Sequence, residues 1–341
     1  MNKALFRVAL LLGVVPAWQA VAADPPAGVE VKPYTGWDDC LFLAAPRKKL
    51  QMVVAPVVGG RIVQLSLNGD NILFENSAAL GKTLATAGNA LWVSGYQCDT
   101  GPESRDYPGH TQLWVGPNTW QPVAEYQIKL ASAAKAIAGL QIEKEIALAP
   151  DTGEIGLTQR LRNVGARDQA FCLWDRTQCK NGGFAMFPLN KKSAFKAGWS
   201  IRVKPEGQTE YSYNTENPDS PQVRILDGVL VAQAKGVATK IGADSDAGWI
   251  AYARGKTLFV KYFQYDPKGN YSDGTNSVEL YWDQRIAELE PLSPEKNLAP
   301  GQNFTFAEMW QLIPLDREVT TAEQARKLVQ RIKPSPFLGR K

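Results

Sequence analysis

Histidine is almost missing from this sequence: His110 is the only one in 341 residues. That count removes every zinc site built on two or three imidazoles, and any acid–base pair made of two histidines. Charge of one sign is lacking too. The 38 Lys and Arg stand against 34 Asp and Glu, a net charge of +4. Such a balance gives no reason to expect nucleic acid or an anionic membrane as a partner. No apolar run beyond the N-terminal leader is long enough to span a bilayer, so no membrane span is expected. There is no glycine-rich phosphate loop, no paired histidine on a helix and no serine nucleophile elbow. Nothing in the chain calls for a cofactor or a resident metal. What the sequence does have is aromatic surface, with ten Trp residues. Flat rings of that kind suit both sheet packing and the apolar faces of sugars.

Met1 to Ala23 read as a secretory signal. Lys3 and Arg7 form a basic start, Val8 to Val15 an apolar stretch too short to span a bilayer, and Ala20-Val21-Ala22-Ala23 the small residues that precede cleavage. Removing the leader takes Lys3 and Arg7 with it and lowers the net charge from +4 to about +2. Residues 24–341 then form a single exported domain, periplasmic or secreted. An oxidising compartment permits disulfides, and Cys40, Cys98, Cys172 and Cys179 allow three pairings. Cys172 and Cys179 fall in one extended stretch, about 23 Å apart if fully drawn out, which is beyond disulfide reach. Cys40–Cys98 is therefore the expected bridge, with free buried thiols as the competing reading.

The pattern is of strands and turns nearly throughout. Strands are expected at Leu50 to Ala55, at Val63 to Leu67 and, after the Asn68-Gly69-Asp70 turn, at Ile72 to Phe74. Leu140 to Leu148 and Glu154 to Leu161 read as a hairpin turning at Ala149-Pro150-Asp151-Thr152-Gly153. Trp249 to Ala253 and Thr257 to Phe263 form another, and strands follow at Ser277 to Trp282, Ile286 to Glu290 and Phe304 to Leu312. One helix closes the chain at about 320–333. Thr320 and Thr321 cap it, Glu323 or Gln324 completes a capping box, and Ala325, Leu328, Val329 and Ile332 make its apolar stripe. Many strands without alternating helices predict an all-β, antiparallel sandwich.

Three polar clusters stand among the aromatic residues. Arg105-Asp106-Tyr107-Pro108-Gly109-His110, with Trp114 following, offers an imidazole that titrates near neutral pH and could protonate a sugar oxygen. A structural histidine in a loop is the plainer reading. In Trp174-Asp175-Arg176-Thr177-Gln178, an extended chain turns Trp174, Arg176 and Gln178 to one face and Asp175 and Thr177 to the other. A surface ion pair beside a core Trp explains that segment equally well. Glu288 and Glu290 share a face in Glu288-Leu289-Glu290-Pro291, and Glu279 stands in a similar setting. A carboxylate there could serve as a general base, though carboxylates on strands are more often merely solvated.

Taken in order, these segments resemble the galactose mutarotase-like superfamily, and within it an exported bacterial branch. The resemblance rests on Val57-Val58-Gly59-Gly60-Arg61-Ile62, Asn71-Ile72-Leu73-Phe74-Glu75-Asn76, Gly109-His110-Thr111-Gln112-Leu113-Trp114 and Leu173 to Gln178. It continues through Lys261-Tyr262-Phe263, Ser277 to Tyr281, Glu288 to Pro294, Leu298 to Gly301 and Glu308-Met309-Trp310. It implies a galactose mutarotase-like antiparallel β-supersandwich with a short C-terminal helix and a concave sugar groove. In sugar mutarotases of this fold a Glu takes the proton of the anomeric hydroxyl while a His protonates the ring oxygen. Leu289-Glu290 matches the Leu-Glu of the family's late strand, without the Gln that follows there. Glu290 is thus the candidate base and His110 the candidate acid. Arg105, Trp114, Asp175, Gln178, Lys240 and Glu279 are candidate contacts to sugar hydroxyls. The family's second histidine would fall near Trp174 to Gln178, where this chain has none. The resemblance therefore also admits a carbohydrate-binding protein without turnover, a glycoside hydrolase or a polysaccharide lyase. Its expected partner in every case is a small carbohydrate or a glycan.

Overall fold

A computed structural model of the chain describes residues 27–87, 94–102, 105, 110–133, 139–204 and 211–338, with the His110 side chain outside the description. The leader and Tyr107 likewise lie outside the described residues. The described residues form three antiparallel sheets. The first is a five-stranded meander of Val29–Tyr34, Trp37–Ala45, Leu50–Ala55, Arg61–Leu67 and Asp70–Asn71. The second has ten strands, ordered Val223–Leu226, Val229–Gln233, Phe184–Pro188, Trp249–Arg254, Thr257–Phe263, Asn303–Pro314, Ile155–Asn163, Leu140–Leu148, Gln127–Ser132 and Asn118–Ala124. The third runs Ser212–Asn214, Ser200–Val203, Thr239–Ala243, Val278–Trp282, Ile286–Pro291, Gln169–Lys180 and Lys296–Leu298. Tyr96–Gly101 also pairs with the long Gln169–Lys180 strand.

Side-chain alternation places the core. Leu140, Ile142, Ile146 and Leu148 are buried along one face, and Ile155, Leu157 and Leu161 face the core from the paired strand. The turn between these strands is closed by Ala149 N–H donating to Glu154 O at 2.9 Å and Gly153 N–H to Ala149 O at 2.8 Å. One main core joins Leu43, Val54 and Leu65 of the meander to Ile146, Phe259 and Trp310 of the ten-stranded sheet and Leu280 and Leu289 of the third. Gln159 and Lys144 are polar residues at core positions of the same alternation. Gln159 donates to Glu308 at 2.9 Å. Lys144 donates to the Gly59 carbonyl and lies 5.3 Å from the centre of the Tyr96 ring. Burial pushes the Lys144 ammonium down to about 8.

The terminal helix forms at Ala322–Leu328 and tightens into a 3₁₀ turn over Val329–Arg331. Thr321 caps it, accepting from Gln324 N–H at 3.2 Å, while the Gln324 side chain reaches back to Thr320 N–H at 2.9 Å. Ala325, Leu328, Val329 and Ile332 pack on Met186, Val231, Ala251 and Val260, a second core on the ten-stranded sheet. Among the described residues no helix is long and apolar enough to cross a membrane.

Two expectations need correction. Ile72 to Phe74 is not a strand of its own: pairing covers Asp70–Asn71, and Leu73 makes an isolated bridge to Cys179. Cys40 and Cys98 do not form a disulfide; all four cysteines are free and buried. Cys40 belongs to the meander and Cys98 to a strand paired with Gln169–Lys180, so each thiol is packed into a different sheet.

Candidate functional site

The third sheet carries a polar row across one of its faces. Along Gln169–Lys180, alternation turns Trp174, Arg176 and Gln178 into a cleft of about 270 Å3, as expected of an extended chain. The strand register then brings their partners up. Gln178 stands opposite Glu288, Glu288 opposite Tyr281, and Tyr281 opposite Lys240. One residue pair past the Ile201–Ile241 register, Arg202 follows beside Lys240. A second row sets Glu290 directly opposite Glu279, and Glu279 opposite Gly242. At Gly242 a Cβ would lie 2.3 Å from Asn276 Cγ. The missing side chain leaves room for Asn276, which donates to Glu279 at 2.9 Å and accepts from Ser200 at 2.9 Å.

Glu290 is the most constrained group in the cleft. Its Oε2 accepts from the Trp174 indole N–H at 2.8 Å and from the Lys240 ammonium at 2.9 Å. Its Oε1 is buried and has no hydrogen-bond partner among the described residues. Burial pushes the Glu290 carboxyl up to about 8 and Lys240 pulls it back, while Glu288 and Glu279 add to the rise. Lys240 also pairs with Glu279 at 2.8 Å and lies 4.3 Å from the centre of the Trp174 ring. Burial works against the Lys240 charge, but Glu279 and Glu290 outweigh it and hold the ammonium above its ordinary range.

A second set of contacts locks the other end. Arg176 bridges Glu288 at 3.1 Å and Asp99 at 3.0 Å. Gln178 donates to Glu288 at 2.6 Å and accepts from Ser94 N–H at 2.7 Å. Behind them Gln97 donates to both oxygens of Asp99, at 2.5 and 2.7 Å, and receives the Arg61 guanidinium. Burial lowers Arg61 to about 10. Tyr281 is an aromatic ring left partly exposed among the lining residues. Two further cations sit at the cleft. Arg285 holds Asp283 at 3.0 Å, and the Arg202 guanidinium lies 3.8 Å from the centre of the Tyr211 ring.

Of the residues expected to touch sugar, Glu290, Gln178 and Lys240 line this cleft, and Glu279 supports Lys240 from beneath it. Three do not. Asp175 points to the opposite face, where it is fully buried and bonded to Lys261. Trp114 is buried in the main core. Arg105 is tied to Glu295 and to the Ala170 carbonyl, both at 2.6 Å. His110 begins the His110–Val115 helix, and its side chain lies outside the described residues. Arg176 and Glu288 were within reach of the sequence because each shares a face with a residue already singled out. Tyr281 stands two positions from Glu279, the same signal. Arg202 lies on a four-residue strand that leaves no mark in the sequence. Among the described residues, no three or more His, Cys, Asp or Glu side chains cluster as metal ligands.

A family model described as "Domain of unknown function (DUF4380)" matches residues 103–313, well over half of the chain and all of the strands that build the cleft's floor. The chain belongs to the DUF4380 family. No functionally curated protein matches the sequence. Solved structures do match this DUF4380 chain. A protein of Escherichia coli K12 provisionally assigned as an aldose 1-epimerase aligns over 79% of this chain and 97% of its own, at 12% identity and a TM-score of 0.54. A galactose mutarotase-like protein of Lactobacillus casei aligns over 84% of this chain and 100% of its own, at 10% identity and a TM-score of 0.53. A galactose mutarotase related enzyme of Lactobacillus acidophilus covers 80% and 98%, at 10% identity and a TM-score of 0.50. At such identities the likeness is one of fold. This DUF4380 member has the galactose mutarotase-like antiparallel β-sandwich, with a short C-terminal helix.

Proposed function

We propose that this protein is an exported, carbohydrate-active member of its family, periplasmic or secreted, that interconverts the anomers of an aldose or of an oligosaccharide end. The observation that carries the reading is Glu290: a carboxyl in the cleft with one oxygen held by Trp174 and Lys240 and the other without a partner among the described residues. A carboxyl poised near 8 is matched to taking a proton near neutral pH. Glu290 takes the proton of the anomeric hydroxyl, the ring C–O bond breaks as the carbonyl forms, and the ring oxygen leaves as a hydroxyl protonated by His110. Rotation about the adjacent C–C bond and the reverse proton transfers close the other anomer. Lys240 steadies the carboxylate, and Gln178 and Tyr281 are placed to meet hydroxyls or a ring face.

Catalysed exchange between anomers is read directly by proton NMR on freshly dissolved single anomers. Its rate is expected to follow a bell, rising from pH 6 as Glu290 loses its proton and falling again toward about 8 and beyond as the imidazole acid loses its own. A rate that falls from pH 6 upward without first rising would make Glu290 the acid and remove this assignment. A second reading, sugar binding without turnover, is favoured by one observation. The strand where sugar mutarotases carry their second histidine presents Trp174, Arg176 and Gln178 to the cleft, and none of these donates a proton as an acid near neutral pH. Line broadening without faster exchange would select it.

A further inference from the structure

The four cations at the cleft are not equivalent. Arg176 is spent on Asp99 and Glu288, and Lys240 on Glu279 and Glu290. Arg285 holds Asp283. Arg202 has no carboxylate partner among the described residues, although it lines the same cleft beside Lys240. Its guanidinium is instead laid over the Tyr211 ring at 3.8 Å. Stacking of this kind orients the planar fork while leaving its N–H edge unspent. A partly buried guanidinium whose donors have no hydrogen-bond partner among the described residues, in a cleft where the other cations are each paired with a carboxylate, is complementary to an oxyanion.

We infer that the substrate is an anionic sugar whose carboxylate or phosphate is received by Arg202. This rests on the carbohydrate reading above and narrows it. Glu290 and Arg202 then divide the work: the carboxyl addresses the reacting hydroxyl, and the fork fixes which sugars enter. The cross-strand sequence Glu290, Glu279 and Lys240, then Arg202, puts the two functions on one sheet face with two strands between them. A neutral hexose offers the Arg202 donors uncharged hydroxyl oxygens only. A bidentate oxyanion uses two of the donors at once.

The test compares matched probes: glucose, glucuronate and glucose 6-phosphate, and their galacto counterparts, titrated into the full-length mature protein by calorimetry at low and physiological salt. At least one anionic sugar is expected to bind ten-fold or more tighter than its neutral counterpart, a gap that narrows with salt. Preference for the uronate identifies a carboxylate, and preference for the phosphate ester a phosphate. Arg202→Gln is expected to bring the anionic sugar down to the affinity of the neutral one. Arg202→Lys, which keeps the charge but not the fork, recovers only part of the preference. Glu290→Gln is expected to leave the anionic preference in place. Neutral and anionic sugars binding alike would overturn this inference and leave the carbohydrate reading standing, as would a preference that survives Arg202→Gln. Binding of none of the probes would overturn both.

Discussion

Glu290→Gln is expected to lower catalysed anomer exchange by about 10²–10⁴-fold, the range that a positioned general base contributes, while sugar still binds. The amide is nearly isosteric with the carboxyl. Its oxygen can still accept from the Trp174 indole at the position now occupied by Oε2, and Lys240 keeps its pairing with Glu279. What is lost is the free basic lone pair on Oε1. The measurement is paired: exchange rates by NMR and affinity by calorimetry on the same preparation. Loss of turnover with affinity unchanged assigns the proton transfer to Glu290. Full activity in the variant would send the search for a base to another group.

The second large effect lies on the opposite face of the strand that carries Trp174 and concerns stability. Lys261 is fully buried between Asp175 and Glu308, with Glu308 Oε2 at 3.6 Å, and also donates to Thr177 Oγ1 at 2.9 Å. Burial and the neighbouring Glu308 push the Asp175 carboxyl well up, and Lys261 pulls it back. Lys261→Met keeps the bulk of the side chain and strands two buried carboxyls without their cation. Breaking one partner out of a buried ion pair costs about 3–5 kcal/mol, so the midpoint of thermal unfolding is expected to drop by roughly 10 °C for a chain of this size. Asp175→Asn in the same background removes one of the stranded charges and is expected to restore part of that loss. A Lys261→Met protein as stable as the wild type would show that the cluster is solvated rather than sealed.

The contrast between Glu290 and Asp175 shows what could be read from the chain alone. Hairpins such as Leu140–Leu148 with Ile155–Asn163 were legible because alternation and turn residues are local signals. So was the shared face of Trp174, Arg176 and Gln178. Burial of the polar residues was not legible. Glu288 and Glu290 look like solvated strand positions, yet both are buried, Glu288 under Arg176 and Gln178 and Glu290 under Trp174 and Lys240. Asp175 looked like part of the site because it adjoins Trp174. Its partner Lys261 lies 86 residues away, on another sheet, and no local pattern joins the two. Short strands such as Ser200–Val203 and Thr239–Ala243 were missed for the same reason: they are defined by their neighbours. The helix at the C-terminus was legible down to its cap because Thr320, Thr321 and Gln324 need nothing outside their own turn.

Burying ionisable groups also makes folding a proton-exchange reaction. Glu290 titrates near 8 in the native state against an ordinary value of 4.5, so between those values the folded chain holds a proton that the unfolded chain has released. Its share of stability is therefore complete below about 4.5 and drains away as pH rises through 8. Lys144 behaves in the opposite sense. Its native value near 8 lies below an ordinary 10.5, so above 8 the unfolded chain holds the extra proton and stability returns with pH. One buried acid and one buried base, on different sheets, thus meet at the same pH. Their joint contribution is weakest near 8, where folding switches from taking up a proton to giving one off.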